Sequence, residues 1–167
     1  MIIPVFEYPV TVLPSDIDEM EHANNVCYVR WMQEAAIGHS TYNGWTTERY
    51  IEAKWAWVAR RHTIDYLQPA YLGDKLLVRT WVAMYKLVQS RRKYQFWKKS
   101  ENMAENIMVA SAETHWAFLS TETLRPIKIP QEVASCFTPL GDDPTEYLHQ
   151  AVQNATTWTT RNFRIQE

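Results

Sequence analysis

Residues 16–28 hold the densest group of chemically useful side chains in the sequence. The group contains two aspartates, a histidine and two adjacent asparagines, namely Asp16, Asp18, His22, Asn24 and Asn25. A carboxylate and an imidazole held close together can act as acid, base or nucleophile on a carbonyl compound. The same residue types also end strands and cap helices, so the surrounding elements must decide which role each side chain has.

A helix is predicted directly after this group, over residues 25–43. One set of residues recurs at helical spacing, namely Tyr28, Val29, Met32, Ala35, Ala36 and His39. Asn43 and Gly44 then supply a stop signal. The first turn of a helix has N–H groups without partners inside the helix, and its dipole favours negative charge. The polar group therefore lies where an oxyanion would be stabilised.

Five stretches have strand patterns and predict the fold class. They cover residues 5–13, 55–67, 75–87, 90–99 and 106–119, and Pro9 requires that the first strand lie at an edge or a bulge. Turns are predicted at Gly73-Asp74 and Glu101-Asn102, and short helices end near residue 53 and cover 131–137 and 145–153. One strand, one long helix and a four-stranded meander indicate an α+β fold, with a curved antiparallel sheet around one central helix.

The composition is that of a single globular domain. The chain has 167 residues, 46% of them hydrophobic, and a net charge of −2, which argues against a nucleic-acid partner. No apolar run approaches the roughly 18–20 residues that span a bilayer, and no signal peptide is visible, so no membrane partner is expected. Cys27 and Cys136, the only cysteines, lack metal-ligand spacing. We therefore expect no disulfide, no metal, no bound cofactor and a cytoplasmic location.

Four segments in order resemble the hotdog-fold thioesterases, in the branch of the 4-hydroxybenzoyl-CoA and long-chain acyl-CoA thioesterases. The first is close to the pattern D-x-x-x-H-x-N-N-x-x-Y and runs from Asp18 to Tyr28. The others are Ile64-Asp-Tyr-Leu-Gln-Pro-Ala70, Gly73-Asp74, and Thr123-Leu-Arg-Pro126 with Ile129-Pro130. The resemblance covers roughly residues 5–137. It implies a hotdog domain over residues 1–140 and a C-terminal extension, 141–167, for which the sequence indicates no role.

The resemblance implies catalytic roles in the loop. Asp18 matches the carboxylate that acts on the thioester, either as nucleophile or as general base for water. Asn25 matches the position whose amide at the helix start polarises the thioester carbonyl. His22 could hydrogen-bond that carbonyl or hold Asp18 and water in place, and Asp16 is expected to be structural.

Substrate-binding roles are assigned to five further positions, namely Asn24, Tyr28, Arg60, Lys86 and Arg91. Asn24 has helix capping as its alternative role, and Tyr28 has packing behind the loop. Basic residues on neighbouring strands would receive the phosphates of coenzyme A, although a solvated strand face explains any one of them as well. Arg60 stands out because it is expected to share a face with Val58, Ile64 and Tyr66, where an arginine needs a partner.

The resemblance also implies a homodimer or homotetramer with each active site at the subunit seam, and long strands would leave an unprotected edge in a monomer. An acyl or aryl tunnel or the subunit contact could involve several tryptophans, namely Trp55, Trp57, Trp81, Trp97 and Trp116. The predicted activity is hydrolysis of an acyl-CoA or acyl-carrier-protein thioester. The alternatives are an aromatic acyl-CoA thioesterase, a hotdog dehydratase, which would need a histidine and an acid at a set spacing within the helix, and a non-catalytic acyl or CoA-binding module.

Overall fold

The computed structural model describes residues 2–99 and 106–152. Its helices are α1 (Asn25–Tyr42), α2 (Thr47–Glu52) and α3 (Gln131–Ala134), with a short 3-10 turn at Pro14–Asp16. A further helix covers 145–152. The prediction of a long helix over 25–43 is confirmed. Among the described residues, no helix is long and apolar enough to cross a membrane.

The strands are β1 (Val5–Thr11), β2 (Trp55–Tyr66), β3 (Lys75–Lys86), β4 (Gln89–Lys98) and β5 (Ile107–Ser120). They form one antiparallel sheet in the order β1-β3-β4-β5-β2. The α+β class and the antiparallel sheet are therefore confirmed. β1 is an edge strand, as the proline at position 9 requires, because Pro9 needs to pair on one side only.

The predicted meander is wrong for one strand. β2 pairs with β5 and not with β3, which follows it in sequence. The connection from β2 to β3 crosses the end of the sheet, and on the way Ala70 accepts a hydrogen bond from the Ala23 amide at 2.8 Å. Gly73, at φ +83°, makes the predicted turn before β3, but the turn does not join sheet neighbours. The turn predicted at Glu101-Asn102 lies outside the described residues.

The core lies between one face of α1 and the inner face of the sheet. The helix buries a row of residues, namely Cys27, Tyr28, Trp31, Met32, Ala35 and His39. They pack on inner-face side chains such as Val78, Phe96 and Ala110. Full burial of each large apolar side chain contributes about 1.5–3 kcal/mol. This packing fixes where the start of α1 sits relative to the sheet.

Residues just beyond 137 still contact the sheet. Leu140 and Gly141 donate hydrogen bonds to the carbonyls of Val82 and Ala83, and the indole N–H of Trp81 donates to the Gly141 carbonyl at 2.9 Å. The division between a domain over 1–140 and an extension over 141–167 stays a prediction. Within that extension, the helix predicted over 145–153 is present over 145–152.

Candidate active site

The loop before α1 is a small closed hairpin. Ile17 and Ala23 form an isolated antiparallel bridge, and the Asp18 amide donates to the His22 carbonyl at 2.9 Å. Glu21 turns the chain at φ +61°, in the left-handed region. The Ala23 amide ties the hairpin to the β2–β3 connection. The loop is therefore held at both ends, although the side chains at its tip are exposed.

Asp18 is half-buried at the base of this hairpin, and the loop backbone orients its carboxylate. Oδ1 accepts hydrogen bonds from the amides of Met20, at 2.9 Å, and His22, at 3.3 Å. Oδ2 has no hydrogen-bond partner among residues 2–99 and 106–152. One oxygen is thus fixed, and the other is free to attack a carbonyl carbon or to take a proton from water.

The start of α1 leaves one backbone donor free. The Oδ1 atom of Asn24 caps the helix by accepting from the Val26 amide at 2.9 Å, and the Cys27 amide donates to the Asn24 carbonyl. Asn24 therefore has the capping role that was left open beside substrate binding. The Asn25 amide has no partner in the described part of the chain. It is exposed at the positive end of an 18-residue helix, as an oxyanion donor requires.

Asp16 lies buried beneath the loop and supports it. Its carboxylate contacts Arg30 at 2.5 Å and accepts from the Leu13 amide, and its carbonyl accepts from the Asn24 amide at 2.7 Å. Burial alone would raise the pKa of Asp16, but these hydrogen bonds outweigh it and keep the pKa below its ordinary value. Asp16 has the structural position that was expected of it.

Three rings line the neighbourhood of the loop. The His22 ring packs edge-on against Tyr71, with 5.3 Å between centroids. The Tyr66 hydroxyl donates to the Asn25 carbonyl at 3.2 Å. No hydrogen bond joins the His22 ring to Asp18 among the described residues, so the expectation that His22 holds the carboxylate is not seen in this geometry. Sequence reasoning gave Tyr66 and Tyr71 no role, although Tyr66 belongs to one of the family-like segments.

Tyr28 occupies the core and not the loop surface. It is only 2% exposed, and its ring contacts Trp31, Tyr66 and Phe96 with centroids 5.1 Å apart in each case. Burial raises the pKa of Tyr28 to about 12. The helical spacing turns Tyr28 inward, and a contact between Tyr28 and substrate stays a prediction that this burial does not support. The packing alternative is what the structure has.

The basic residues assigned to substrate do not gather around Asp18. Arg60 is exposed at a bulge in β2, where the pairing with β5 shifts between Ala59 and Arg61. The bulge reverses the alternation of the strand, so Val58 and Ile64 lie on opposite faces of the sheet. The prediction that Arg60 shares a face with both is wrong, because a one-residue bulge is invisible to a period of two.

Lys86 and Arg91 lie toward the other end of the sheet. Lys86 is exposed at the end of β3. It lies about 35 Å along the strand from Lys75, which is at the end of the sheet near the Asp18 loop. Arg91 points to the outer face and forms ion pairs with Glu113 and Asp142. Neither residue reaches Asp18 of the same chain. Among the described residues, no cluster of His, Cys, Asp or Glu side chains is placed to hold a metal ion.

A cavity of about 500 Å³ lies along α1 from Gln33 to Ser40, toward the helix C-terminus. Its walls come from α1, α2, the start of β2 and the region of α3. Aromatic rings dominate the lining, namely Trp45, Tyr50, Trp55, Trp57, Tyr85, Trp116 and Phe137. Of the five tryptophans singled out in sequence, Trp55, Trp57 and Trp116 line this cavity, whereas Trp81 and Trp97 do not. Asp18 does not line it either.

Comparisons with solved structures agree with this architecture. A mutant 4-hydroxybenzoyl-CoA thioesterase, with an aspartate replaced by asparagine and 4-hydroxybenzoyl-CoA bound, is 13% identical, with a TM-score of 0.76 over 81% of this chain and 100% of that chain. A 1,4-dihydroxy-2-naphthoyl-CoA thioesterase from Synechocystis is 19% identical, with a TM-score of 0.71 over 79% and 94%. A gentisyl-coenzyme A thioesterase is 21% identical, with a TM-score of 0.67 over 78% and 98%.

No curated protein sequence matches the chain. The family model of the thioesterase-like superfamily matches residues 12–137, which include the loop, α1 and the strands β2 to β5. These residues make up most of the chain, and the overall fold is similar to that of the solved structures named above. The chain therefore belongs to the thioesterase-like superfamily and has its hotdog fold.

Proposed function

We propose that the protein hydrolyses acyl-CoA thioesters, with Asp18 as the reacting carboxylate and the Asn25 amide as oxyanion donor. The observation that carries this proposal is the pair of free groups at the start of α1. Oδ2 of Asp18 and the N–H of Asn25 both lack partners among the described residues, and both belong to the loop that the family model includes. One group can supply electrons to a thioester carbon, and the other can stabilise its oxygen.

The hydrolysis can follow two mechanisms, and the carboxylate of Asp18 acts in the first step of both. As nucleophile, Asp18 forms a bond to the thioester carbon, the carbon–sulfur bond breaks, and water then hydrolyses the mixed anhydride. As general base, Asp18 takes a proton from water, whose oxygen attacks the same carbon. In both forms the Asn25 amide stabilises the tetrahedral oxyanion, and the CoA thiolate leaves and is protonated. The products are the free acid and the thiol.

A homodimer through the β2 edge is part of the proposal, and a homotetramer would join two such dimers. β2 has 12 residues, and the side that faces away from β5 is unpaired among residues 2–99 and 106–152. The other edge strand, β1, is shorter and carries Pro9. Val58 on β2 is 40% exposed, and Val26 and Ile37 on α1 are also exposed. An open edge of this length is a template for pairing with a second copy.

Antiparallel pairing of two β2 strands would complete the active site. Tyr66, at the end of β2, touches the start of α1, whereas Trp55 and Trp57, at the beginning of β2, line the cavity. A two-fold axis near the middle of β2 brings the start of one strand beside the end of the other. The acyl group attacked by Asp18 of one subunit would then enter the cavity of its partner.

The same arrangement gives the basic residues a role in binding coenzyme A. Lys86 is exposed at the end of the sheet where β2 begins, and Arg60 is exposed on the β2 edge. Across the two-fold axis, both would approach the Asp18 loop of the other subunit and could contact CoA phosphates. Arg91 is already paired with Glu113 and Asp142, so its contribution would be weaker.

An aromatic acyl group is the substrate class that the cavity favours over a plain aliphatic chain. Seven aromatic rings line a space of about 500 Å³, which is within the usual range for small-molecule sites. The three solved structures named above are thioesterases of aromatic CoA esters. A thioester on acyl carrier protein stays the alternative carrier. The two free thiols, Cys27 and Cys136, support a location in the reducing cytoplasm.

The test of this proposal is replacement of Asp18 by asparagine, measured as thiol release from benzoyl-CoA, hexanoyl-CoA and palmitoyl-CoA. Asp18→Asn retains the loop hydrogen bonds but removes the charge, so we expect kcat to fall by at least about 100-fold. Glu19→Gln, an exposed carboxylate in the same loop, serves as the matched control and should keep its activity. Calorimetry with a non-hydrolysable CoA thioether tests the rival hypothesis. If wild type binds the thioether but hydrolyses none of the three esters, the protein is a non-catalytic CoA-binding module and not a hydrolase.

A further inference from the structure

Arg92 is a buried cation on the inner face of β4. It is only 6% exposed, and it lies on the wall of the cavity beside Ser90 and Trp116. One terminal nitrogen donates hydrogen bonds to His39 Nδ1, at 2.9 Å, and to Thr80 Oγ1, at 3.3 Å. Its Nε and the other terminal nitrogen have no hydrogen-bond partner in the described part of the chain. A guanidinium has five N–H donors, so most of them are unused.

Every partner of Arg92 is uncharged. The Nε2 atom of His39 lies 2.8 Å from the Ile3 carbonyl, which can only accept, so Nε2 carries the proton. Nδ1 is then unprotonated and accepts from Arg92. Burial, followed by the charge of Arg92, lowers the pKa of His39 to about 3, so the ring is neutral. Thr80 is also neutral, and the Phe137 ring contacts the guanidinium through its face at 5.7 Å.

Among residues 2–99 and 106–152, the arginines that form ion pairs are Arg30, Arg49, Arg79 and Arg91. Arg92 is not one of them, so no carboxylate in this part of the chain neutralises its charge. An unpaired buried charge is strongly unfavourable. The inner end of the cavity therefore has a buried cation with unused N–H donors and no carboxylate beside it among the described residues.

We propose that Arg92 binds a carboxylate carried by the acyl group of the substrate, at the end remote from the thioester. This inference rests on the proposed thioesterase function and names its substrate class: aromatic acyl-CoA thioesters with a second, acidic oxygen group. A carboxylate offers the two oxygens that the free edge of a guanidinium binds in parallel. The rings of Trp57, Trp116 and Phe137 would pack on the planar part of the ligand.

The position of the charge favours the acyl group over the phosphates of coenzyme A. Arg92 is the only arginine or lysine among the described residues that lines the cavity while being buried, and the other basic lining residue, Lys54, is exposed. A triphosphorylated nucleotide would need several cations, whereas a single carboxylate needs one. The aromatic walls around Arg92 also exclude the water that such a nucleotide would require.

The first experiment compares 4-carboxybenzoyl-CoA with 4-methylbenzoyl-CoA, two esters of similar shape. Wild type should have the higher kcat/KM for the carboxylated ester. Arg92→Met should lower that value at least about tenfold and change kcat/KM for the methyl ester by less than about threefold, because the variant loses one charged hydrogen-bonded pair. Arg92→Lys retains the charge and should restore part of the preference. Arg79→Met, on the outer face of the sheet, is the matched control and should behave as wild type.

The second experiment needs no turnover and separates the two proposals. Free 4-methylbenzoate should quench the cavity tryptophans of wild type and of Arg79→Met, but not of Arg92→Met, and 4-methylbenzamide should have little effect on any of them. Arg92-dependent binding without hydrolysis of any thioester would leave the carboxylate site at Arg92 standing and remove the proposed function. Hydrolysis of both esters without a carboxylate preference would overturn the inference and leave the thioesterase standing. Equal loss on both esters in Arg92→Met, with no rescue in Arg92→Lys, would make Arg92 merely structural and also overturn it.

Discussion

The hydroxyl of Tyr66 donates a hydrogen bond to the main-chain carbonyl of Asn25 at 3.2 Å, which joins the last residue of β2 to the first residue of α1. The same peptide region carries the free amide that we assign to the oxyanion. Tyr66 also packs edge-on against Tyr28, with centroids 5.1 Å apart. The end of β2 thus helps to fix the orientation of the helix start.

Replacing Tyr66 by phenylalanine should reduce turnover more than stability. The ring contact with Tyr28 is retained and only the hydroxyl is lost. This single exposed hydrogen bond is worth about 0.5–1.5 kcal/mol. We expect kcat to fall several-fold with KM nearly unchanged, because the amide of Asn25 would be less well oriented. Steady-state kinetics on benzoyl-CoA checks this, and an increase in KM at constant kcat would instead make Tyr66 a substrate contact.

Much of this fold follows from periodicity in the sequence. The predicted helix over 25–43 and all five predicted strand ranges lie within two residues of the observed bounds, because one face of each element is buried and the other is not. The strand pairing could not be predicted in the same way. Nothing in the sequence of β2 indicates that the Ala70 carbonyl will accept a hydrogen bond from the Ala23 amide, or that the chain will cross the end of the sheet.

The candidate site was only partly predictable for a similar reason. Asp18 and Asn25 have roles set by local sequence, since a hairpin and a helix start position them. Arg60 was misplaced because a bulge changes the face of every residue after it. The importance of Arg92 could not be predicted, because whether its charge is paired depends on strands and a helix that are distant from it in sequence.

Replacing Asp16 by asparagine should destabilise the protein at neutral pH. The carboxylate of Asp16 has a lowered pKa in the folded protein. Its contribution to the free energy of unfolding is therefore fully present above the pKa of the unfolded chain, about 3.9, and is lost as the pH falls through the lower pKa of the folded state. Asp16→Asn retains an acceptor for Leu13 but loses the charged contact to Arg30. We expect a loss of about 1–2 kcal/mol in the free energy of unfolding at pH 7. Urea titrations at neutral and acidic pH measure it, and a difference that persists unchanged in acid would contradict the assignment.

His39 should make the protein less stable as the pH falls below the ordinary histidine range. Its folded pKa is about 3 and its unfolded value is 6.5, so between these values the unfolded chain binds a proton that the native state does not. Stability then falls by about 1.4 kcal/mol per pH unit. The groups that face His39 are Arg92, the Ile3 carbonyl and the rings of Phe6 and Phe137, none of which titrates in that window.

The variant His39→Gln removes this dependence. Between pH 6.5 and about pH 4, the stability gap between wild type and His39→Gln should narrow by about 3 kcal/mol. Denaturant titrations across the range test this. Parallel curves for the two proteins would show that His39 is not neutral in the native state or is not buried in solution.

Charging the β2 edge should separate the subunits and stop catalysis together. Val58→Asp places a carboxylate on the exposed edge, where the two copies approach around the proposed two-fold axis. Light scattering should report a monomer in place of the proposed dimer or tetramer, and thiol release should fall in parallel. Leu124→Asp, at a position 75% exposed and outside β2, is the control. An active monomer would refute the shared site.

Replacing Asn25 by proline should remove the oxyanion donor while leaving the helix intact. Asn25 is the first residue of α1, the position that best tolerates proline, and its amide has no partner to lose among the described residues. Asn24, at φ −58° and ψ 138°, already has the backbone conformation that a following proline demands. Loss of one oxyanion donor lowers kcat by about 100- to 1,000-fold. Asn25→Ala retains the amide and should stay within a few-fold of wild type, so equal activity of the proline and alanine variants would place the oxyanion donor elsewhere.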